Sequence, residues 1–230
     1  MATTLADRWR DVRARVDAAC HEAGREPGDV TILPVSKTFG VDAIREAMAL
    51  GLTRFGENRV QEVRAKQVEL ADAHLDWVVI GHLQTNKAKD VARLASEVQS
   101  LDRLELARAL DQRLQHEGRS ISVLVEVKTS PEEAKHGLPP DQLPSLLREL
   151  KAMHSLRVEG LMTMAVHADD AGAVRACFRQ LRQLRDRARE DGFALPRLSM
   201  GMSGDFALAI AEGSTEVRIG RAIFGERTYL

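Results

Sequence analysis

The chain has 230 residues, 44% of them hydrophobic and 29% charged, with 33 Lys+Arg set against 34 Asp+Glu. That length supports one globular domain with an ample core, and a net charge of -1 with no basic patch argues against a nucleic-acid binder. No apolar run approaches the roughly 20 residues that span a bilayer, and the start at Met1 to Asp7 lacks a charged-then-apolar leader, so a cytoplasmic protein without membrane contact is expected.

In chain order, Leu5, Trp9, Val12, Val16 and Ala19 share one helical face, and Gly24 with Pro27-Gly28 ends that helix. Cys20 and Cys177 each fall within a helical pattern, far apart and without a neighbour at ligand spacing, and read as reduced packing residues. Eight β-branched or apolar runs follow, at 30–37, 53–55, 77–81, 97–101, 121–127, 157–164, 197–200 and 216–219. Between them apolar residues recur at helical spacing, as in Val41, Ile44 and Met48, or Val174, Phe178, Leu181 and Leu184.

Strands alternating with helices imply parallel pairing through crossovers. The expected fold is α/β: a single domain over 1–230, with an N-terminal helix in 1–25 and a (β/α)8 TIM barrel over 30–226. An open doubly wound sheet is the alternative, but the first strand-to-helix turn, Val35 to Gly40, lacks the glycine fingerprint of a dinucleotide-binding unit. Pro34 fits poorly in a central strand because it removes a ladder donor.

Barrel enzymes place their chemistry at the C-terminal ends of the strands, and here those ends are polar. They carry Ser36-Lys37-Thr38, Gly56-Glu57-Asn58-Arg59, Gly81-His82 through Asn86, Asp102, Met200-Gly201-Met202-Ser203-Gly204-Asp205 and Arg218-Ile219-Gly220-Arg221. Loops after strands seven and eight commonly bind phosphate. Gly201, Ser203 and Gly204 would let backbone approach an anion, with Ser203 capping a helix through Phe206 and Ile210, and Gly220 opens a second short helix. The plainer alternative is that these glycines only make tight turns.

Lys37, one of only seven lysines, follows an apolar run; desolvation at a barrel mouth would free its amine for a Schiff base, whereas a solvent-facing lysine is the ordinary case. A phosphate anchor beside such a lysine suits pyridoxal 5'-phosphate (PLP) or a sugar-phosphate aldolase. Arg218, facing a pyridine nitrogen, would favour PLP and weaken it as an electron sink; otherwise it makes an ion pair at the rim.

Several other signals are weak. Gly220 to Gly225 continues into Glu226-Arg227 and is no nucleotide P-loop, and His21-Glu22 has no histidine one turn on. Lys87 and Lys89 would steer an anion or simply be solvated, and Lys135 would be a transient aldehyde acceptor or an ordinary surface lysine.

Six motifs together carry a resemblance: Val35-Ser36-Lys37-Thr38, Phe55 to Glu62 (FGENRVQE), Ile80 to Lys87 (IGHLQTNK), Gly160 to Met164 (GLMTM), Leu198 to Ser203 (LSMGMS) and Val217 to Gly225 (VRIGRAIFG). The stretch from about 30 to about 226 is similar to the PLP homeostasis protein family, whose barrel is like that of alanine racemase. The resemblance implies a PLP fold type III barrel without the C-terminal β-domain, and PLP joined to Lys37 as a Schiff base. It also implies phosphate held by Ser203 and the Gly220 and Arg221 backbone, Arg218 at the pyridine nitrogen, and Asn58 and Met200 flanking the ring, with Ser199 and His82 as weaker carry-overs. Arg221 stands where threonine is common and His82 where proline is frequent.

The family resemblance makes the expected function intracellular PLP buffering or delivery, with PLP-dependent apoenzymes as recipients, no metal and no established catalysis. A racemase of this fold needs a second acid/base opposite the lysine; the sole tyrosine is Tyr229, and no second domain is expected. A monomer is expected, since the domain that dimerises racemases is missing. A low-activity PLP enzyme such as an amino-acid racemase is the alternative, and a Lys37 aldolase stands behind both.

Overall fold

The computed structural model describes residues 3–132 and 136–226. Its first helix, α1 (Leu5–Glu22), begins at a capping box in which the Thr4 side chain accepts from the Asp7 amide and the Asp7 carboxylate accepts from the Thr4 amide. Strands and helices then alternate: β1 (Thr31–Pro34), α2 (Val41–Ala49), β2 (Arg54–Glu57), α3 (Val60–Glu69), β3 (Asp76–Val79), α4 (Ala88–Leu94), β4 (Glu97–Leu101) and α5 (Leu104–His116). The second half continues with β5 (Ile121–Glu126), α6 (Leu143–Leu150), β6 (Leu156–Met162), α7 (Ala171–Glu190), β7 (Arg197–Ser199), α8 (Phe206–Ala211), β8 (Glu216–Ile219) and α9 (Arg221–Phe224).

All strand pairs are parallel, in the order β1-β8-β7-β6-β5-β4-β3-β2. A single bridge between Val35 and Gly56 brings β1 against β2 and closes the barrel. The expected eight-stranded barrel is therefore observed. Pro34 is accommodated by strand parity: the amides of Thr31 and Val35 donate to Thr215 and Ile219 on the β8 side. The alternate residues Ile32 and Pro34 turn their backbones toward β2, and the missing Pro34 donor falls on the sparsely bonded seam.

Alternation along each strand separates two environments. Val98, Val123, Val125, Leu198, Val217 and Ile219 are buried against the helical layer. The other parity points into the barrel, and its lower part is charged. Arg54 donates to Glu216 (2.7 Å) and Glu97 (2.8 Å), and Arg197 donates to Glu97, Glu159 and Glu216 at 2.9 to 3.1 Å. Burial opposes ionisation of Glu216, but Arg54 and Arg197, with the Gln99 amide, hold its carboxyl below the usual range. α1 lies outside the β8 side of the barrel, where the Arg8 Nε donates to the Ile223 carbonyl and Arg25 to those of Ile210 and Ser214.

Candidate functional site

The mouth is built from the C-terminal strand ends, and its first element is the pinned turn around Lys37. The Ser36 amide donates to the Gly56 carbonyl (3.0 Å) and its hydroxyl to Glu57 Oε1 (2.6 Å), while Lys66 Nζ from α3 donates to the Ser36 carbonyl (2.9 Å) and to Glu57 Oε1 (2.5 Å). On the other side, the Thr38 amide donates to Glu62 Oε2 (2.9 Å), and Thr38 takes a φ of 69°, which ends the extended run earlier than residue 37. Lys37, half-buried at the start of the turn, is thus held between two fixed neighbours. Burial pushes the Glu57 carboxyl above its ordinary range, against the pull of Lys66 and Ser36, and its Oε2 has no hydrogen-bond partner.

Arg218 lies on β8, 4% exposed. Its Nη1 donates to Ser199 Oγ (2.8 Å) and its Nη2 to the Thr163 carbonyl (2.8 Å). The direction of the bonds behind it is forced. Gln99 Nε2 donates to the carboxylates of Glu97 and Glu216, so Gln99 Oε1 faces Ser199 and accepts its hydroxyl proton (2.7 Å), leaving the Ser199 lone pairs for Arg218. Among the described residues no carboxylate lies within ion-pair distance of Arg218. Burial pulls its pKa below the ordinary value, with Glu216, Glu126 and Asp205 acting the other way. Described residues take up two of its five N–H donors, and this buried guanidinium suits an electron-rich or anionic ligand.

The remaining expected residues divide. Asn58 is half-buried beside β2, its carbonyl packed so closely by Gly81 that a side chain there would overlap it. Gly220 is the N-cap of α9, and a Cβ there would stand 3.0 Å from the Val35 carbonyl oxygen, so the β8 loop lies directly against the β1 end. Arg221 is exposed at the start of α9.

Ser203 does not cap α8: the residue before that helix is Asp205, whose carboxylate accepts from the Met202 amide (2.5 Å), and Ser203 stands half-buried in the preceding turn. Gly201 makes that turn possible, with a φ of +99° and Ala209 only 2.6 Å from where a Cβ would sit. Met200 is fully buried, in the hydrophobic cluster that includes Ala209.

His82 is exposed at the rim, its Nδ1 3.3 Å from Asp102 Oδ2 and its ring stacked on His136 at 3.9 Å. Lys87 and Lys89 lie at the start of α4, half-buried and exposed respectively. Lys135 and Tyr229 fall outside the described residues. Cys20 and Cys177 are free and buried, no group of metal-ligating side chains occurs among the described residues, and no described helix is long and apolar enough to cross a membrane.

Sequence reasoning missed Gln99, Lys66 and Glu126. For Gln99 and Glu126 the signal was present as charged or amide residues every second position within apolar strands: Glu97-Val98-Gln99, Val125-Glu126-Val127 and Glu216-Val217-Arg218. In a parallel barrel, where both strand faces are normally apolar, that period marks a polar interior. Glu126, 2% exposed, has its carboxyl pushed up to about 7, chiefly by burial and then by Asp102, with Arg218 opposing.

Comparison with known proteins follows this geometry. Residues 10–228 match the model of the alanine racemase N-terminal domain family. A pyridoxal phosphate homeostasis protein of Pseudomonas aeruginosa is 41% identical over 227 residues, covering 99% of this chain and 97% of that one. Another of the same name from Aquifex aeolicus is 43% identical over 224 residues, covering 97% and 98%. The solved structure of PipY from Synechococcus elongatus with PLP bound superposes with a TM-score of 0.87 at 36% identity, covering 96% of this chain and all of that one. The chain therefore belongs to the alanine racemase N-terminal domain family and, within it, to the pyridoxal phosphate homeostasis proteins.

Proposed function

We propose that this chain binds PLP as a Schiff base on Lys37 and buffers or delivers it inside the cell without turnover of its own. The observation that carries the reading is the buried Arg218, held by a hydroxyl and a carbonyl and by no carboxylate, in the same barrel mouth as the half-buried Lys37. The PLP-bound PipY structure and the names of the relatives support it.

Lys37 supplies the amine that condenses with the PLP aldehyde, releasing water. Arg218 donates to the pyridine nitrogen and leaves it unprotonated, which suits holding the group over using it as an electron sink. Ser203 with the Gly220 and Arg221 amides receives the phosphate, Asn58 lies along the ring, Ser199 acts by orienting Arg218, and His82 stays at the rim. In this reading the chain is a cytoplasmic monomer, and PLP-dependent apoenzymes are the recipients.

The test is an absorption spectrum of the purified protein after PLP is added, then borohydride reduction and peptide mass mapping. A yellow species trapped on Lys37 is expected; a protein that stays colourless and takes up no PLP refutes the reading. Exchange of an amino acid's α-hydrogen with solvent by the loaded protein would favour a racemase instead.

A further inference from the structure

At the end of β5, opposite β1 in the strand order, stands a carboxyl that the proposed function does not use. Val123 and Val125 of that strand, and Val127 just past it, pack into the helix-side core, so Glu126 points into the barrel with Leu124. It is 2% exposed, and burial, Asp102 and Arg218 act on its carboxyl with no hydrogen bond among them. A buried carboxyl is ordinarily hydrogen-bonded or paired. Glu57 Oε2 is the one fully buried side-chain oxygen without a partner among the described residues, and that carboxyl has Ser36 and Lys66 on its other oxygen.

The charges acting on Glu126 come from the neighbouring β4 and from β8 across the barrel. Asp102, just past β4, is taken up by Arg103 and His82, and Arg218 reaches in from β8 beyond ion-pair distance. β6 contributes Met162, its register partner, and Thr163, neither of them charged, and Lys128 follows two residues on along the chain.

We propose that Glu126 is a ligand-facing group that keeps its proton while an anionic ligand is held, so that its ionisation governs release. The inference rests on PLP being the ligand and deepens that reading. Arg218 stays protonated at any ordinary pH. While Glu126 is neutral, the guanidinium has only the more distant Glu216 and Asp205 acting on it and no carboxylate in ion-pair contact among the described residues, and the carboxyl is a donor, both favourable to an anion. Once Glu126 ionises, it offsets Arg218 and repels the same ligand through a medium of low dielectric. Burial, by raising the carboxyl to about 7, places this change near neutrality.

The experiment compares PLP affinity of the wild-type chain and Glu126→Gln at pH 6 and pH 8 by equilibrium dialysis. PLP itself titrates in this range, and the ratio between the two proteins removes that contribution. Glu126→Gln should gain about tenfold on the wild type between pH 6 and pH 8, the fold-change for a group titrating one unit below the upper pH. Calorimetry in buffers of different ionisation heat should also show the wild type at pH 8 taking up close to one more proton per PLP than the variant.

A constant ratio with equal proton uptake overturns the proposal while leaving PLP binding intact. Failure of both proteins to bind PLP at pH 6 overturns the PLP reading and this inference with it.

Discussion

Replacing Glu126 by glutamine should make the ligand-free protein more stable in mild alkali and leave it unchanged in mild acid. Folded Glu126 holds its proton up to about pH 7, whereas an exposed glutamate in the unfolded chain releases it near 4.5. Between those values the folded state binds more protons than the unfolded one, so stability falls as pH rises through the window and levels off above it. At 1.36 kcal/mol per pH unit the loss reaches about 3 kcal/mol by pH 8, a large fraction of a typical domain's stability. Glutamine keeps the shape of the neutral carboxyl and has no proton to lose, so the variant escapes the loss. Urea denaturation of both proteins at pH 5, 6, 7 and 8 reads the difference directly, other titrating groups being common to both. Parallel curves, or a variant less stable at pH 8, would refute the assignment of Glu126 as a buried acid.

Three further outcomes are expected. Lys37→Ala should abolish the borohydride-trapped adduct while the midpoint of thermal unfolding stays close to wild type, because Lys37 is half-buried at the mouth and contributes little to the core; loss of the fold would contradict its placement. Lys66→Met should cost about 3–5 kcal/mol in chemical denaturation by leaving Glu57 buried without its cation, and adding Glu57→Leu should recover much of that, a coupling read by a double-mutant cycle. Gly201→Ala should destabilise by roughly 1–3 kcal/mol from the positive φ alone, and more from the Ala209 contact, and an unchanged melting temperature would exclude the described turn.

The barrel was legible because its strands are short apolar runs separated by helical spacing. The order of its elements follows from that alternation, and its ends moved by only a few residues. β1 was the exception. It stops at Pro34, with the bridge at Val35, since Thr38 turns left-handed and Glu62 captures its amide, a contact from another element that no local pattern announces. The ends of strands seven and eight were legible as polar loops, yet the direction of each side chain depended on parity: one residue separates Ser199, bound to Arg218, from Met200, in the hydrophobic cluster with Ala209. Lys66 was invisible because nothing in a helical lysine tells whether it reaches water or a buried glutamate nine residues back.

The seam between β1 and β2 has its own implication for how this architecture can drift. β1 meets β2 through one bridge and β7 meets β8 through one register pair, whereas the other neighbouring strands share two or more, and at the first of these seams Pro34 supplies no donor. The work of closure passes to Ser36, Glu57 and Lys66, whose side chains tie the two strands to α3. Barrel closure at this point is written in residue identity and not in the polypeptide backbone. A lineage could vary most of its strands freely and still seal, but a change at any of those three positions would unfasten the joint next to Lys37 first.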